Sequence, residues 1–222
     1  MEKFKARDLL REMAEAAYIC GDPGIQYDTT INEWHTCPNS GRINASNPCS
    51  EFMFLDDSAC NLASLNLMNF RKANGEFDAE SFRRAAHIMI IAQDIIVDRA
   101  SYPTPQIANN SKRYRPLGLG YANLGALLMA NGLPYDSDEG RALAAAITGI
   151  MTGQAYLTSA QLASRVGTFS EFVKNREPFL RVVNKHRAQA DRIERLRSVR
   201  ELIKAARAAW DEAIQLGEQY GY

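Results

Sequence analysis

The sequence predicts a helix-rich α/β chain, and three observations predict it. Several long stretches repeat apolar residues at the spacing of one helix face. A shorter region, between about 40 and 70, holds extended runs that alternate apolar and polar residues. Gly, Pro and Asn stand at the boundaries between them. The chain has 222 residues, 46% apolar and 23% charged, with a formal net charge of zero. That composition supports a packed core and gives no sign of a disordered tail or a nucleic-acid binder.

Taken in order, residues 3–20 read as a helix, with Leu9, Leu10, Met13, Ala16 and Ala17 on one face and Gly21-Asp22-Pro23-Gly24 as its stop. Residues 21–50 have little periodicity and read as a long ordered loop carrying Trp34, Cys37 and Ile43. Glu51–Leu55 and Leu62–Phe70 read as extended runs, followed by an Asn74-Gly75 turn. Asp78 is the expected N-cap of a helix from 79 to about 100, striped by Phe82, Ala85, Met89, Ala92 and Ile96 and ended by Pro103 and Pro105. Residues 113–120 predict a strand or tight turn, and 121–131 a helix closed by Asn131-Gly132 and Pro134. Asp136 and Glu139 have capping-box spacing before a helix over about 137–166. Two more helices are expected at roughly 177–190 and 197–219.

The charged opening MEKFKARDLL is not a secretion signal. The least polar long segment, Leu143 to Ala163, is interrupted by Thr148, Thr152, Gln154, Thr158 and Gln161, so it reads as a buried helix and not a membrane span. A soluble, cytoplasmic protein is expected. Four cysteines, Cys20, Cys37, Cys49 and Cys60, are too few for a disulfide scaffold, and none forms a C-x-x-C pair, so no metal site is expected. His35 and Cys37 are at most half of a ligand set, and a loop-stabilising role fits them better. Gly118, Gly120 and Gly125 lack the spacing of a nucleotide-binding loop and read as points of close backbone approach. From 165 to 207 there are 12 Lys and Arg against 5 Asp and Glu, read as the wet faces of helices in preference to a phosphate-binding surface.

The stretch Ser46-Asn47-Pro48-Cys49-Ser50-Glu51 carries chemistry. On an extended backbone, Asn47, Cys49 and Glu51 would point to one side and span about 13 Å at roughly 3.3 Å per residue. Pro48 biases Asn47 toward that geometry. A carboxylate can take a hydroxyl proton, an amide can hold a second hydroxyl, and a thiol between them can exchange a hydrogen atom with carbon if it becomes a radical. An isolated N-x-C-x-E also arises by chance, and a Cys beside Pro is commonly a buried turn residue. The surrounding sequence decides between these readings.

The run from His35 to Leu67, HTCPNSGRINASNPCSEFMFLDDSACNLASLNL, resembles the active-site region of ribonucleotide reductases of the adenosylcobalamin-dependent class. Residues 115–125, RPLGLGYANLG, and the stretch from Tyr156 to Ala163 fit the same family. The resemblance covers nearly the whole chain and is most specific at 34–67 and 113–163. It implies that the chain is one segment, 1–222, of the family's ten-stranded α/β barrel, with the active-site loop and strands at about 34–70 and a helical remainder at 78–219.

The resemblance also assigns roles. Cys49 would be the thiyl radical that takes hydrogen from the ribose 3′ carbon. Glu51 would be the general base on the 3′-hydroxyl, and Asn47 would hold the ribose hydroxyls. Cys60 would be one of two reducing cysteines, its partner lying upstream in the family, and Cys20 and Cys37 match neither motif. Ser46, Asn47, Ala59 and Cys60 would line the ribonucleotide. Adenosylcobalamin is the implied cofactor, although no residue is assignable to it from chemistry. The remaining parts of the reductase, or a complementing chain, are the implied partners, with no membrane and no direct nucleic-acid contact. Alone, the chain is expected to be inactive. The alternatives are the radical-accepting large subunit of a class I reductase, or a non-catalytic helical assembly module.

Overall fold

A computed structural model describes residues 3–193 and 196–222. Its contacts divide the chain into two units, 1–34 and 35–222.

The first unit holds two helices. Helix α1 (Ala6–Cys20) ends where Gly21 turns left-handed at φ 84° and donates its amide to the Ala17 carbonyl. Its end matches the sequence expectation, its start falls three residues later than expected, and none of its residues is buried. Helix α2 (Asp28–Glu33) lies inside the stretch expected to be loop. Six residues give too short a window for apolar periodicity to show.

In the second unit, strand β1 (Asn61–Asn66) is followed by a 3-10 turn at Leu67–Phe70. Helix α3 (Ala79–Arg99) starts as expected, with the Asp78 carboxylate accepting from Ser81 N. Helix α4 (Pro105–Tyr114) was not expected. Thr104 caps it by accepting from Ile107 N, and Pro105 opens it, so the proline taken to end α3 in fact begins the next helix. Strand β2 (Leu117–Ala122) pairs with β1 in parallel, Asn61 opposite Leu117 and Asn66 opposite Ala122.

Helix α5 (Leu124–Ala130) leads to α6 (Asp138–Val166). The cap of α6 is Ser137, whose Oγ accepts from Gly140 N, and Asp136 pairs with Arg141 instead. The expected capping box was therefore one residue out of register. Helices α7 (Phe172–Ala190) and α8 (Arg200–Tyr220) complete the unit. Three of the basic residues of this region pair with carboxylates: Arg187 with Asp191 and Asp211, Arg207 with Asp191, and Lys204 with Glu201.

The core forms where α6 crosses α8. Gly149 and Gly153 face Ala206, Ala209 and Trp210 so closely that an added Cβ would sit 3.1 Å from each. Small residues on both helices let the backbones approach and let Ile147, Ile150 and Ile203 close around them. A second cluster packs Phe172, Phe179, Val183, Trp210 and Tyr222, with His186 stacked on Trp210 at 5.6 Å.

The helix-rich α/β class is seen, as eight helices and a two-stranded parallel sheet among the described residues. Glu51–Leu55 is not a strand. It is held by ring packing, with Phe54 5.8 Å from His35 and 5.6 Å from Tyr114. Among the described residues no helix is long and apolar enough to cross a membrane.

Candidate active site

Asn47, Pro48, Cys49 and Ser50 form a tight turn, closed by Ser50 N donating to Asn47 O at 3.0 Å. This corrects the expectation of a straight row. Pro48 stands at the second position of a β-turn, where its fixed φ is favoured, and Asn is a favoured first residue. The proline's own preference outweighs the extended bias it places on Asn47. Ser50 leaves the turn in the left-handed region, at φ 63°. The turn brings residues 47 and 50 within about 7 Å of each other, where a strand would hold them farther apart.

The side chain of Asn47 shapes this turn. Its Oδ1 accepts from Phe52 N at 2.9 Å, while Ser46 Oγ donates to Asn47 O at 2.8 Å. Two residues assigned to the ribose thus also hold the loop. Cys49 sits exposed at the tip, and Glu51 is exposed just beyond it.

Cys60 immediately precedes β1 and is half-buried. Burial pushes its thiol up, and the nearby Glu51 charge pushes it further the same way. Cys60 also lies against β2, where a Cβ on Gly118 would meet its Sγ at 3.5 Å, Asn61 O at 3.1 Å and Leu62 Cδ2 at 2.4 Å. The close approach expected of the glycine run is thus real at Gly118, and it is strand against strand. Ala59 has both backbone groups engaged by Ser111, so only its methyl is left for a substrate.

The approach to the turn is latched from behind. His35 is buried, takes the Cys37 amide on Nδ1 at 3.3 Å and meets Gly41 O through Nε2 at 3.0 Å. These bonds suit the neutral ring with its proton on Nε2, and burial lowers the pKa in keeping with that. His35 therefore closes the loop, as its sequence context suggested. Cys37 is buried, its thiol pushed up to about 11 by desolvation. It lines an apolar cavity of about 240 Å³ with Phe54, Tyr114 and Tyr156.

Sequence reasoning missed Asn175, Gln93 and Ser111, all fully or almost fully buried. Asn175 Oδ1 accepts from Asn39 N at 3.0 Å, and its Nδ2 donates to Ser40 Oγ and Glu171 O. A polar residue amid an apolar helical stripe was the available signal. It marks a buried amide without naming its partner.

A turn presenting one exposed thiol and a carboxylate, beside a second thiol at the mouth of a parallel strand pair, is a site able to combine acid–base and thiol chemistry on one small substrate. The family model for the ribonucleotide reductase barrel domain matches residues 1–222, and the chain belongs to that family. It is 58% identical over 219 residues to a vitamin B12-dependent ribonucleotide reductase of Rhodopirellula baltica, covering 99% of this chain and 21% of that protein. Identity is 52% over 229 residues to the protein of the same name from Streptomyces coelicolor, covering 100% of this chain and 24% of that one. The chain thus spans between a fifth and a quarter of the length of these relatives. Among solved structures, the Actinobacillus ureae class Id ribonucleotide reductase alpha subunit superposes with a TM-score of 0.63 at 21% identity, covering 76% of this chain and 34% of that one. That likeness concerns the fold alone.

Proposed function

We propose that residues 1–222 are one segment of a ten-stranded reductase barrel, the segment that carries the radical cysteine and one reducing cysteine of an adenosylcobalamin-dependent ribonucleotide reductase. The observation that carries this reading is Cys49 exposed at the tip of a tight turn, with Glu51 exposed just past it and Cys60 half-buried at the entrance of the parallel strand pair.

In this reading Cys49, as a thiyl radical, takes hydrogen from the ribose 3′ carbon of a ribonucleoside di- or triphosphate. Glu51 takes the 3′-hydroxyl proton, a role that contributes about 10²–10⁴-fold. Asn47 and Ser46 hold the sugar hydroxyls from the turn, and Ala59 borders the sugar. Cys60 protonates the departing 2′-hydroxyl and supplies one of the two reducing thiols, the other coming from outside this segment.

The names of the relatives support adenosylcobalamin as cofactor. What this chain contributes is its own thiols, carboxylate and amide. The other contacts belong to the rest of the reductase, in the cytoplasm, without membrane or direct nucleic-acid binding.

The test is deoxynucleotide formation by the complete reductase. Cys49→Ala and Cys60→Ser should abolish turnover with physiological dithiol, and Glu51→Gln should cut it by about 10²-fold or more. Cys49→Ala should leave thermal stability unchanged, because the side chain is exposed. The isolated 222-residue chain, given cofactor and reductant, should form no product. Turnover by Cys49→Ala, or by the isolated chain, would overturn the reading.

A further inference from the structure

We infer that Gln93 and Ser111 are positioning residues for the Cys60 thiol, each fixing the main chain on one side of it. The inference rests on the reading of Cys60 as a reducing thiol.

The geometry is specific. Ser111, on α4 and 1% exposed, uses one hydroxyl for both backbone groups of Ala59: Oγ accepts from Ala59 N at 3.1 Å and donates to Ala59 O at 3.4 Å. Gln93, on α3 and 1% exposed, sends its two amide protons one to each strand, to Asn61 O at 3.1 Å and to Gly118 O at 3.0 Å. Asn61 Nδ2 returns a bond to Gln93 O at 3.0 Å. Residues 59 and 61 are thus bonded to two different helices, and Cys60 is the residue between them.

These bonds do more than add stability. Asn61 Oδ1 and Gln93 Oε1 are both buried with no partner among the described residues. A buried acceptor left unmade costs about 1–3 kcal/mol, so a well-fitted apolar pair would hold the helix to the sheet more cheaply. What the amide supplies and an apolar side chain cannot is a directed bond from α3 to the main chain of each strand, at Asn61 and at Gly118. The Cys60 sulfur lies in that entrance, against Gly118, partly shielded from water. A thiol that must meet both a sugar hydroxyl and a partner thiol works only if its sulfur is held to within a fraction of an ångström.

The experiment is iodoacetamide labelling of the complete reductase across pH, with site-resolved mass spectrometry, on Gln93→Met, Ser111→Ala and Ser111→Thr. Cys37, buried and with a thiol pushed up to about 11, reports any general opening of the fold. In the unmodified protein Cys60 should label slowly, with its midpoint above that of an ordinary thiol. Gln93→Met and Ser111→Ala should label Cys60 about ten-fold faster near pH 8 and shift the midpoint down, as expected if the sulfur gains water. Cys37 should stay protected, and Ser111→Thr, which keeps the hydroxyl, should restore the slow profile. Turnover should fall about ten-fold in kcat with the nucleotide KM changed by less than about two-fold.

An unchanged Cys60 profile in both variants overturns the inference. So does faster labelling of Cys37 in parallel, or failure of Ser111→Thr to restore the profile. A Cys60→Ser reductase that still turns over with dithiol would instead refute the reductant reading, leaving the labelling result to stand or fall separately.

Discussion

Asn39 donates its side-chain Nδ2 to the Lys174 carbonyl at 2.8 Å, and Lys174 lies four residues before Pro178. A proline inside a helix has no amide for the carbonyl one turn back. The acceptor that Pro178 leaves empty on α7 is thus filled by the loop behind the candidate active site. Asn175, on the same turn of α7, takes the Asn39 backbone amide and donates to Ser40 Oγ. The helix defect and the buried amide form one latch on residues 39 and 40.

The latch predicts a local effect for Asn175→Ala. Losing three buried bonds should cost about 2 kcal/mol at the least. Amide exchange at Asn39 and Ser40 in the complete reductase should then rise roughly thirty-fold. Peptide-resolved hydrogen exchange checks this, and protection unchanged at residues 37–41 would refute the latch.

His35 predicts a pH dependence. Burial lowers its folded pKa, so below about 6.5 the unfolded chain takes up a proton that the folded chain resists. Stability is therefore complete above that pH and falls as pH drops toward the folded value. Protonating Nδ1 would also remove the acceptor for Cys37 N. His186, half-buried and stacked on Trp210, is lowered for the same reason and adds in the same direction. Thermal denaturation between about pH 5 and 8 should show the loss, and His35→Gln should reduce its slope.

Gly118→Ala should be poorly tolerated although its backbone is ordinary. The new methyl would start 2.4 Å from Leu62 Cδ2 and 3.1 Å from Asn61 O. Forcing the strands apart should cost about 1–3 kcal/mol. Because Cys60 Sγ is the third neighbour, labelling of Cys60 should change as well. Gly120→Ala meets only ordinary contacts, Ser64 Oγ at 3.7 Å being the nearest, and serves as the comparison.

Arg115 predicts that charge alone is insufficient. Its guanidinium donates to Asp94 Oδ1 at 2.7 Å and to both carboxylate oxygens of Asp98 at 2.9 Å, and it also takes the Asp94 carbonyl. Arg115→Lys keeps the charge and loses the fork. It should lose about 1–2 kcal/mol, close to the loss in Arg115→Ala, in denaturation of the complete protein.

Much of the local structure was legible in the sequence. Asp78 announced α3, Gly21 ended α1, and Asn131-Gly132 closed α5, because caps and stops act within a turn of the residues that carry them. Two misses had equally local signals that were misassigned. Thr104-Pro105 is a cap followed by a first-turn proline, and it was taken only as the end of α3. The helix expected from about 177 begins five residues earlier, at Phe172, and Pro178 lies inside it. At Asn47–Ser50 the residue types of the site were evident while its shape was not, because one proline favours a turn at its own position and extended backbone before it.

The sequence by itself determined the helix-rich class, the presence of six of the eight helices among the described residues, and the residue types of the candidate site, two thiols, a carboxylate and an amide. The structure settled which of two local preferences of Pro48 wins, a turn at residues 47–50 and not a straight run. Tertiary structure alone decided that Gln93, Ser111 and Asn175 hold the surrounding main chain. The reason is range. A cap or turn is settled among neighbours, whereas these three buried side chains meet partners 32, 52 and 136 residues away, and only the packing of α3, α4 and α7 brings them there.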